Sequence, residues 1–123
     1  MESLELVKRI VNILDKKKGT EIKVIKIDDL TVIADYFVIV TGTSSTQVKA
    51  LSGEVEFMLK QDGVPARNIE GYNSNTWILM DYNSVIVHVF YTETRKFYDL
   101  EHLWQDGTEI DISSFVEQPN ATE

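Results

Sequence analysis

Asp81 and His88 are the two residues of this chain whose types and spacing could perform acid–base chemistry. Both lie in the segment WILMDYNSVIVHVFYTETRKFYDLEHLW, which is dense in apolar and aromatic residues. With Ser44 or Ser45 they would supply the residue types of a hydrolase triad. However, no Gly-x-Ser-x-Gly motif surrounds either serine. Ser44 followed three residues later by Gln47 is a capping box, the pattern that begins a helix. The sequence therefore favours a helix start over a nucleophile.

The turn VTGTSSTQ places a glycine and several hydroxyls before that helix, as phosphate-binding turns do. It lacks the lysine and the second glycine of a P-loop. It is more similar to the Gly-Ser turn of nucleotidyltransferases, which is followed by a strand with two carboxylates, one residue apart, that hold magnesium. Here the later strand offers only Asp81, and the position two residues before it is Leu79. One carboxylate cannot hold a metal pair, so we expect no metal, no cofactor and no catalysis. A nucleotide-binding enzyme that uses the Gly42 turn is the alternative.

The composition is that of a folded domain with an acidic surface. The 123 residues include no cysteine and only two histidines, which excludes disulfides and thiolate catalysis and disfavours a histidine-rich metal site. The net charge of −8 disfavours direct contact with nucleic acid and favours a basic protein surface as partner. No apolar run is long enough for a membrane span, and the N-terminus does not match a secretory signal. We therefore expect a cytoplasmic protein without a membrane partner.

The patterning predicts one domain over residues 1–107 and an acidic C-terminal tail, residues 108–123, that docks weakly or stays mobile. An amphipathic helix comes first, and Gly19 supplies its left-handed end. Residues 21–27 alternate as in an edge or half-buried strand, whereas residues 36–42 are apolar on both faces, as in a central strand.

The second half of the chain predicts a second helix that begins after Ser44, a short strand near Ile69 and a β-hairpin over residues 77–91. Short helical turns from Thr92 onward follow, with four apolar anchors: Phe97, Leu100, Leu103 and Trp104. The element order α-β-β-α-β-β-α indicates an α/β fold (α+β mixed sheet) with helices packed on a mixed sheet.

A two-residue hairpin turn at Asn83-Ser84 divides the hairpin side chains between two faces. Trp77 then pairs with Phe90 and Leu79 with His88, and cross-strand partners share a face. One face is mostly aliphatic and suits packing under a helix: Ile78, Met80, Tyr82, Val85, Val87 and Val89. The other mixes aromatic and polar residues: Trp77, Leu79, Asp81, Ile86, His88 and Phe90. The residue types leave two interpretations of this second face, a second core layer or a protein-docking surface.

Three segments together resemble the Iojap-like family of ribosomal silencing factors. They are ADYFVIVTGTSSTQV (34–48), EGYNSNTWILMDYNSVIVHVF (70–90) and FYDLEHLW (97–104), and the resemblance extends over most of the chain. The usual SDYF of the family appears here as ADYF, and the usual Tyr-Gly-Asp turn appears as Tyr82-Asn83-Ser84. Asn tolerates the same backbone conformation, so the hairpin itself is still expected.

The resemblance implies a nucleotidyltransferase-like fold with a degenerate active site and a function in binding. Such factors bind the large ribosomal subunit through its fourteenth protein, block an intersubunit bridge and subunit joining, and so repress translation. The resemblance implies that seven residues form, support or extend the docking surface: Trp77, Leu79, Asp81, His88, Phe90, Arg95 and Tyr98. It also implies that Asp35 orients the loop before the central strand and that Trp104 is a core anchor. An exposed aromatic face would also allow a homodimer off the ribosome, and the sequence does not decide the oligomeric state.

Overall fold

Helices and strands follow one another in the predicted order, with one further short strand at the end. The computed structural model describes residues 1–116. Its helices are α1 (Ser3–Lys16), α2 (Ser45–Gln61), α3 (Thr92–Tyr98) and α4 (Leu100–Leu103). Its strands are β1 (Thr20–Lys26), β2 (Tyr36–Gly42), β3 (Asn68–Glu70), β4 (Trp77–Asp81), β5 (Val85–Tyr91) and β6 (Thr108–Ile110). Within this part of the chain no helix is long and apolar enough to cross a membrane.

The strands form one mixed sheet in the order β3-β4-β5-β2-β1-β6. The central strands β2 and β5 are parallel, and every other neighbouring pair is antiparallel. All seven residues of β2 are buried, which explains its apolar character on both faces. The predicted fold class, a mixed sheet with helices packed on it, is confirmed.

Helices α1 and α2 pack on one face of the sheet and form the larger core with it. The apolar stripe predicted for the first helix is buried at every position: Leu6, Val7, Ile10, Val11, Ile13 and Leu14. Helix α2 buries Val48, Leu51, Val55 and Leu59 against the sheet, and Met58 is half-buried. The aliphatic face of the hairpin lies beneath these helices, as the two-residue turn predicts.

The end of α1 differs from the prediction in which residue turns the chain. Lys18, with φ 68°, adopts the left-handed conformation expected of Gly19. Gly19 is needed for space instead, because a Cβ there would lie 2.6 Å from a Val40 methyl group. The helix ends where the sequence predicts, but Gly19 is required there because the backbone packs closely on β2.

The predicted tail begins inside the sheet. Strand β6 pairs with β1, so β1 is the second strand from the edge and has a hydrogen-bonded strand on each of its two edges. Beyond β6, Ile112, Phe115 and Val116 pack against the larger core. The sheet therefore extends past the boundary predicted at residue 107, since apolar residues at 110–116 find a place on it. Residues 117–123 of the predicted tail lie outside the described residues.

Candidate partner-docking face

The hairpin has the register that the two-residue turn predicts. Trp77 lies opposite Phe90 and Leu79 lies opposite His88. The Tyr82 amide donates to the Val85 carbonyl oxygen at 2.9 Å and closes the turn. The two faces of the hairpin therefore carry the predicted side chains. Helices α1 and α2 cover the aliphatic one.

The second face is part core and part surface. Phe90 and His88 are only 0% and 4% exposed, and Phe90 belongs to a smaller core that includes Phe37 and Ile39. The outer members of the face, Trp77, Leu79, Asp81 and Ile86, are half-buried. Both interpretations of the face therefore apply in part: the residues over the central strands are core, and the outer residues stay partly accessible to solvent. Of the predicted docking residues, His88 and Phe90 support the surface from beneath.

His88 is held as a neutral acceptor. The Trp77 indole Nε1–H donates to His88 Nδ1 at 3.1 Å, and Phe37 meets the imidazole edge-on at 4.7 Å. Burial lowers the pKa of His88 to about 4, so the ring is uncharged at neutral pH. Because Nδ1 accepts the indole hydrogen bond, the ring carries its own proton on Nε2. Asp81 instead accepts from the Asn83 amide at 2.8 Å. Asp81 and His88, the two residues that could perform acid–base chemistry, thus each accept a hydrogen bond from a different neighbour.

An aromatic patch extends from the edge of the hairpin onto α3. The Tyr98 ring lies 4.7 Å from the Trp77 ring, and Phe97 meets Tyr98 edge-on at 5.0 Å. We use the name aromatic patch for Trp77, Leu79, Phe97 and Tyr98. Phe97 is 80% exposed and Tyr98 is 51% exposed. The three rings contact one another at tilted or perpendicular angles, and those of Phe97 and Tyr98 still face solvent.

Two of the four predicted anchors on the last helical turns are wrong. Phe97 and Leu103 are 80% and 71% exposed. Leu100 is buried in the smaller core, and Trp104 is half-buried with its ring 5.2 Å from Phe37. Trp104 therefore has the predicted anchoring position, while Phe97 adds to the accessible apolar surface.

Arg95 differs from the prediction that it extends the docking surface, because its side chain is only 7% exposed. Its guanidinium donates to the Glu21 carbonyl oxygen and to Thr41 Oγ1, both at 2.7 Å, and to Glu101 Oε2 at 2.8 and 3.0 Å. Burial alone would raise the pKa of Glu101, but the hydrogen bond and charge of Arg95 outweigh it and the pKa is lowered. Arg95 joins α3 to β1, β2 and α4, and thereby fixes the helix that carries Phe97 and Tyr98.

Asp35 ties the loop before β2 to the first helix. Its Oδ2 accepts from Ser3 Oγ at 2.8 Å, and its amide donates to the Ser84 carbonyl oxygen at 2.7 Å. This geometry agrees with the orienting role that the resemblance implies. It also places the hairpin turn against the start of the central strand.

The turn after Gly42 is closed by its own hydrogen bonds. The Gln47 amide donates to Ser44 Oγ at 3.0 Å, as the capping box predicts, while Gln47 Oε1 accepts from the Thr43 amide at 2.7 Å. A Cβ at Gly42 would lie 2.9 Å from Val48, so the glycine serves close packing of turn and helix. In residues 1–116 no group of three or more acidic or histidine side chains could hold a metal. The amides that would bind a phosphate are already partly used inside the turn.

Comparison with known proteins shows the family of the chain. The family model described as "Ribosomal silencing factor during starvation" matches residues 1–123. The chain belongs to this family of ribosomal silencing factors.

Three relatives match between 77% and 94% of this chain. A ribosomal silencing factor of Halalkalibacterium halodurans is 33% identical over 116 residues, which are 94% of this chain and 99% of the relative. A crystal structure of a protein from Chromobacterium violaceum matches with a TM-score of 0.83 and 35% identity, covering 92% of this chain and 93% of the other. A mouse relative named "Mitochondrial assembly of ribosomal large subunit protein 1" is 34% identical over 98 residues, 77% of this chain and 43% of the relative. These names describe silencing and assembly factors, and the family is not one of enzymes.

Sequence reasoning missed two residues of the silencing factor's second face. Strand β3 places Asn68 opposite Asp81 and Glu70 opposite Leu79, so both side chains share the face with the patch. The sequence pattern predicts a short strand near Ile69 but does not indicate which strand it pairs with. That Glu70 and Leu79 share a face can be recognised only when the antiparallel pairing of β3 with β4 is known.

Proposed function

We propose that this silencing factor binds the large ribosomal subunit through the subunit's fourteenth protein, on the surface that faces the small subunit. By occupying that surface it blocks an intersubunit bridge, prevents subunit joining and represses translation in the cytoplasm. Family membership supports a function on the ribosome, and the name of the mouse relative refers to the large subunit. The aromatic patch is the observation on which the proposal depends.

The patch has the composition of a binding hot spot. Tryptophan and tyrosine contribute most often to interface hot spots, and here the Trp77 and Tyr98 rings are in contact at the accessible edge of the sheet. Trp77 is anchored from below by His88 and Phe90, so little side-chain freedom would be lost on binding. Trp77, Leu79, Asp81 and Tyr98 are proposed to contact the partner, while Arg95 positions α3.

The mechanism is steric exclusion and needs no cofactor. A bound protein prevents a second macromolecule from occupying the same surface, whatever chemistry either one carries. The net charge of −8 favours approach to a basic ribosomal protein and disfavours contact with the RNA backbone. Electrostatic attraction of this kind raises the association rate more than the affinity.

A sucrose-gradient experiment tests this function. Separated large and small subunits are mixed with an excess of the chain, and we expect fewer joined ribosomes and co-sedimentation of the chain with large subunits. Tyr98→Ala should weaken binding to large subunits by about 2 kcal/mol, because it removes an exposed anchor without opening the core. Phe57→Ala is the matched control, since Phe57 is an exposed aromatic on α2, on the opposite face of the sheet.

The outcomes separate the parts of the proposal. Binding to large subunits with undiminished subunit joining would contradict the steric mechanism. Equal binding by folded Tyr98→Ala and Phe57→Ala would remove the patch from the interface. Capture of the isolated fourteenth protein by the wild-type chain, lost in Tyr98→Ala, is the expected result for the named partner.

A further inference from the structure

A shallow depression beside the aromatic patch is lined by Glu70, Gly71, Trp77 and Leu79. Glycine is required at its rim: Gly71 has φ +80°, and a Cβ there would lie 2.1 Å from the Trp77 carbonyl oxygen. Any larger residue would therefore push the chain away from Trp77. The depression lies at the β3–β4 edge, where Trp77 and Leu79 offer apolar contact and Glu70 offers one carboxylate.

A second carboxylate lies diagonally across the same face. Glu70 is opposite Leu79, and Asp81 follows Leu79 by two residues on β4, so their Cβ atoms are about 7–8 Å apart. Two like charges at this spacing repel each other. Such an arrangement favours a positive charge between them, above Leu79 and beside Trp77.

Neither carboxylate is neutralised within residues 1–116. Glu70 accepts from the Asn68 side-chain amide at 2.8 Å, and Asp81 accepts from the Asn83 backbone amide at 2.8 Å, so both donors are neutral. Arg67, just before β3, donates to Asn83 Oδ1 rather than to either acid. The ion pairs of the described residues lie elsewhere and involve Asp62, Glu54, Asp28 and Glu101.

We propose that this depression receives a cationic side chain, an arginine or a lysine, from the protein surface that the silencing factor covers. The proposal rests on the function proposed above and adds the chemistry of the contact. The aliphatic stem of the cation packs on Leu79 and the Trp77 indole, and its charged head lies between Glu70 and Asp81. A flat indole next to a carboxylate suits arginine in particular, because guanidinium stacks on aromatic rings and pairs with carboxylates.

Binding to isolated large ribosomal subunits at several salt concentrations tests the proposal. Glu70→Gln should weaken binding at least about tenfold at low salt, and its affinity should fall less steeply with salt than that of the wild-type chain. Asp81→Asn should act in the same direction while keeping the acceptor for the Asn83 amide. Glu70→Lys should weaken binding further. Glu56→Gln, which removes the same charge from the exposed side of α2, should bind as the wild type does.

Each alternative has its own signature. Loss of binding in Tyr98→Ala but wild-type affinity in Glu70→Gln and Asp81→Asn would overturn the cationic contact and leave the proposed function standing. Stronger binding by Glu70→Lys would indicate a phosphate at this place and would also overturn it. Absence of binding by the wild-type chain would overturn both proposals. Thermal melting of each variant confirms folding, and because Glu70 is exposed we expect unchanged melting temperatures.

Discussion

The indole of Trp77 and the imidazole of His88 act together at the scale of single residues. One ring is at the surface and the other is 4% exposed, and the bond between Nε1 and Nδ1 fixes how the indole is presented. Composition alone suggested a catalytic histidine, a core histidine or a docking residue. The structure assigns His88 to the core as the residue that orients its surface neighbour, a function that its type does not reveal.

The burial of His88 predicts that acid destabilises the fold. In the unfolded chain this histidine takes up a proton near pH 6.5, whereas in the folded chain its pKa is about 4. Lowering the pH across that window therefore favours the unfolded state, by about 3 kcal/mol from this group. Urea unfolding at several pH values measures the effect.

His88→Gln is the control for that titration, because glutamine can still accept from the indole but does not bind a proton in this range. The stability of the variant should depend less on pH between 6.5 and 4 than that of the wild type. Parallel pH profiles for the two proteins would contradict the assignment.

At the scale of elements, local patterns predicted the secondary structure better than they predicted exposure. The hairpin register followed from period-2 alternation and a two-residue turn, and α2 followed from its capping box. Whether an apolar residue is buried depends on which element lies over it. Phe97 and Leu103 looked like anchors because they are apolar and close in sequence to Leu100 and Trp104, yet both side chains are exposed.

Arg95 is the residue that sets the position of α3, and its removal should be costly. Arg95→Ala leaves the Glu21 carbonyl oxygen, Thr41 and Glu101 without their shared donor, so we expect the free energy of unfolding to fall by about 3 kcal/mol. Arg95→Lys should be intermediate, because a lysine keeps the charge but not the fork of donors. Denaturant unfolding measures both.

The exposed neighbour Lys96 provides the comparison for Arg95. Lys96→Ala removes the same sign of charge from the same helix and should leave stability within about 0.5 kcal/mol. Equal effects of the two alanine substitutions would show that the buried network is not what holds α3.

At the scale of the whole molecule, the sheet is covered unequally. Helices α1 and α2 cover one side fully, whereas α3 and α4 leave the β4 edge and the aromatic patch in contact with solvent. Exposed apolar patches of this kind mark interaction sites. The surface charge opposes self-association, so charge and patch act against each other in the free protein.

This balance predicts a reversible homodimer that forms through the patch. The apparent mass by light scattering should rise with protein concentration, and it should rise further with salt, which screens the repulsion between two acidic chains. Tyr98→Ser should remain monomeric under the same conditions. A mass that does not change with concentration or salt would contradict self-association through this surface.

The parallel pair at the centre of the sheet has a consequence for synthesis of the chain. Strand β2 pairs with β5, which comes about 50 residues later, so the middle of the sheet cannot be completed until the hairpin has left the ribosome. Until then the apolar residues of β2 have β1 as a neighbour on one edge only. Nascent chains that stop before residue 91 therefore leave one edge of β2 without its strand partner.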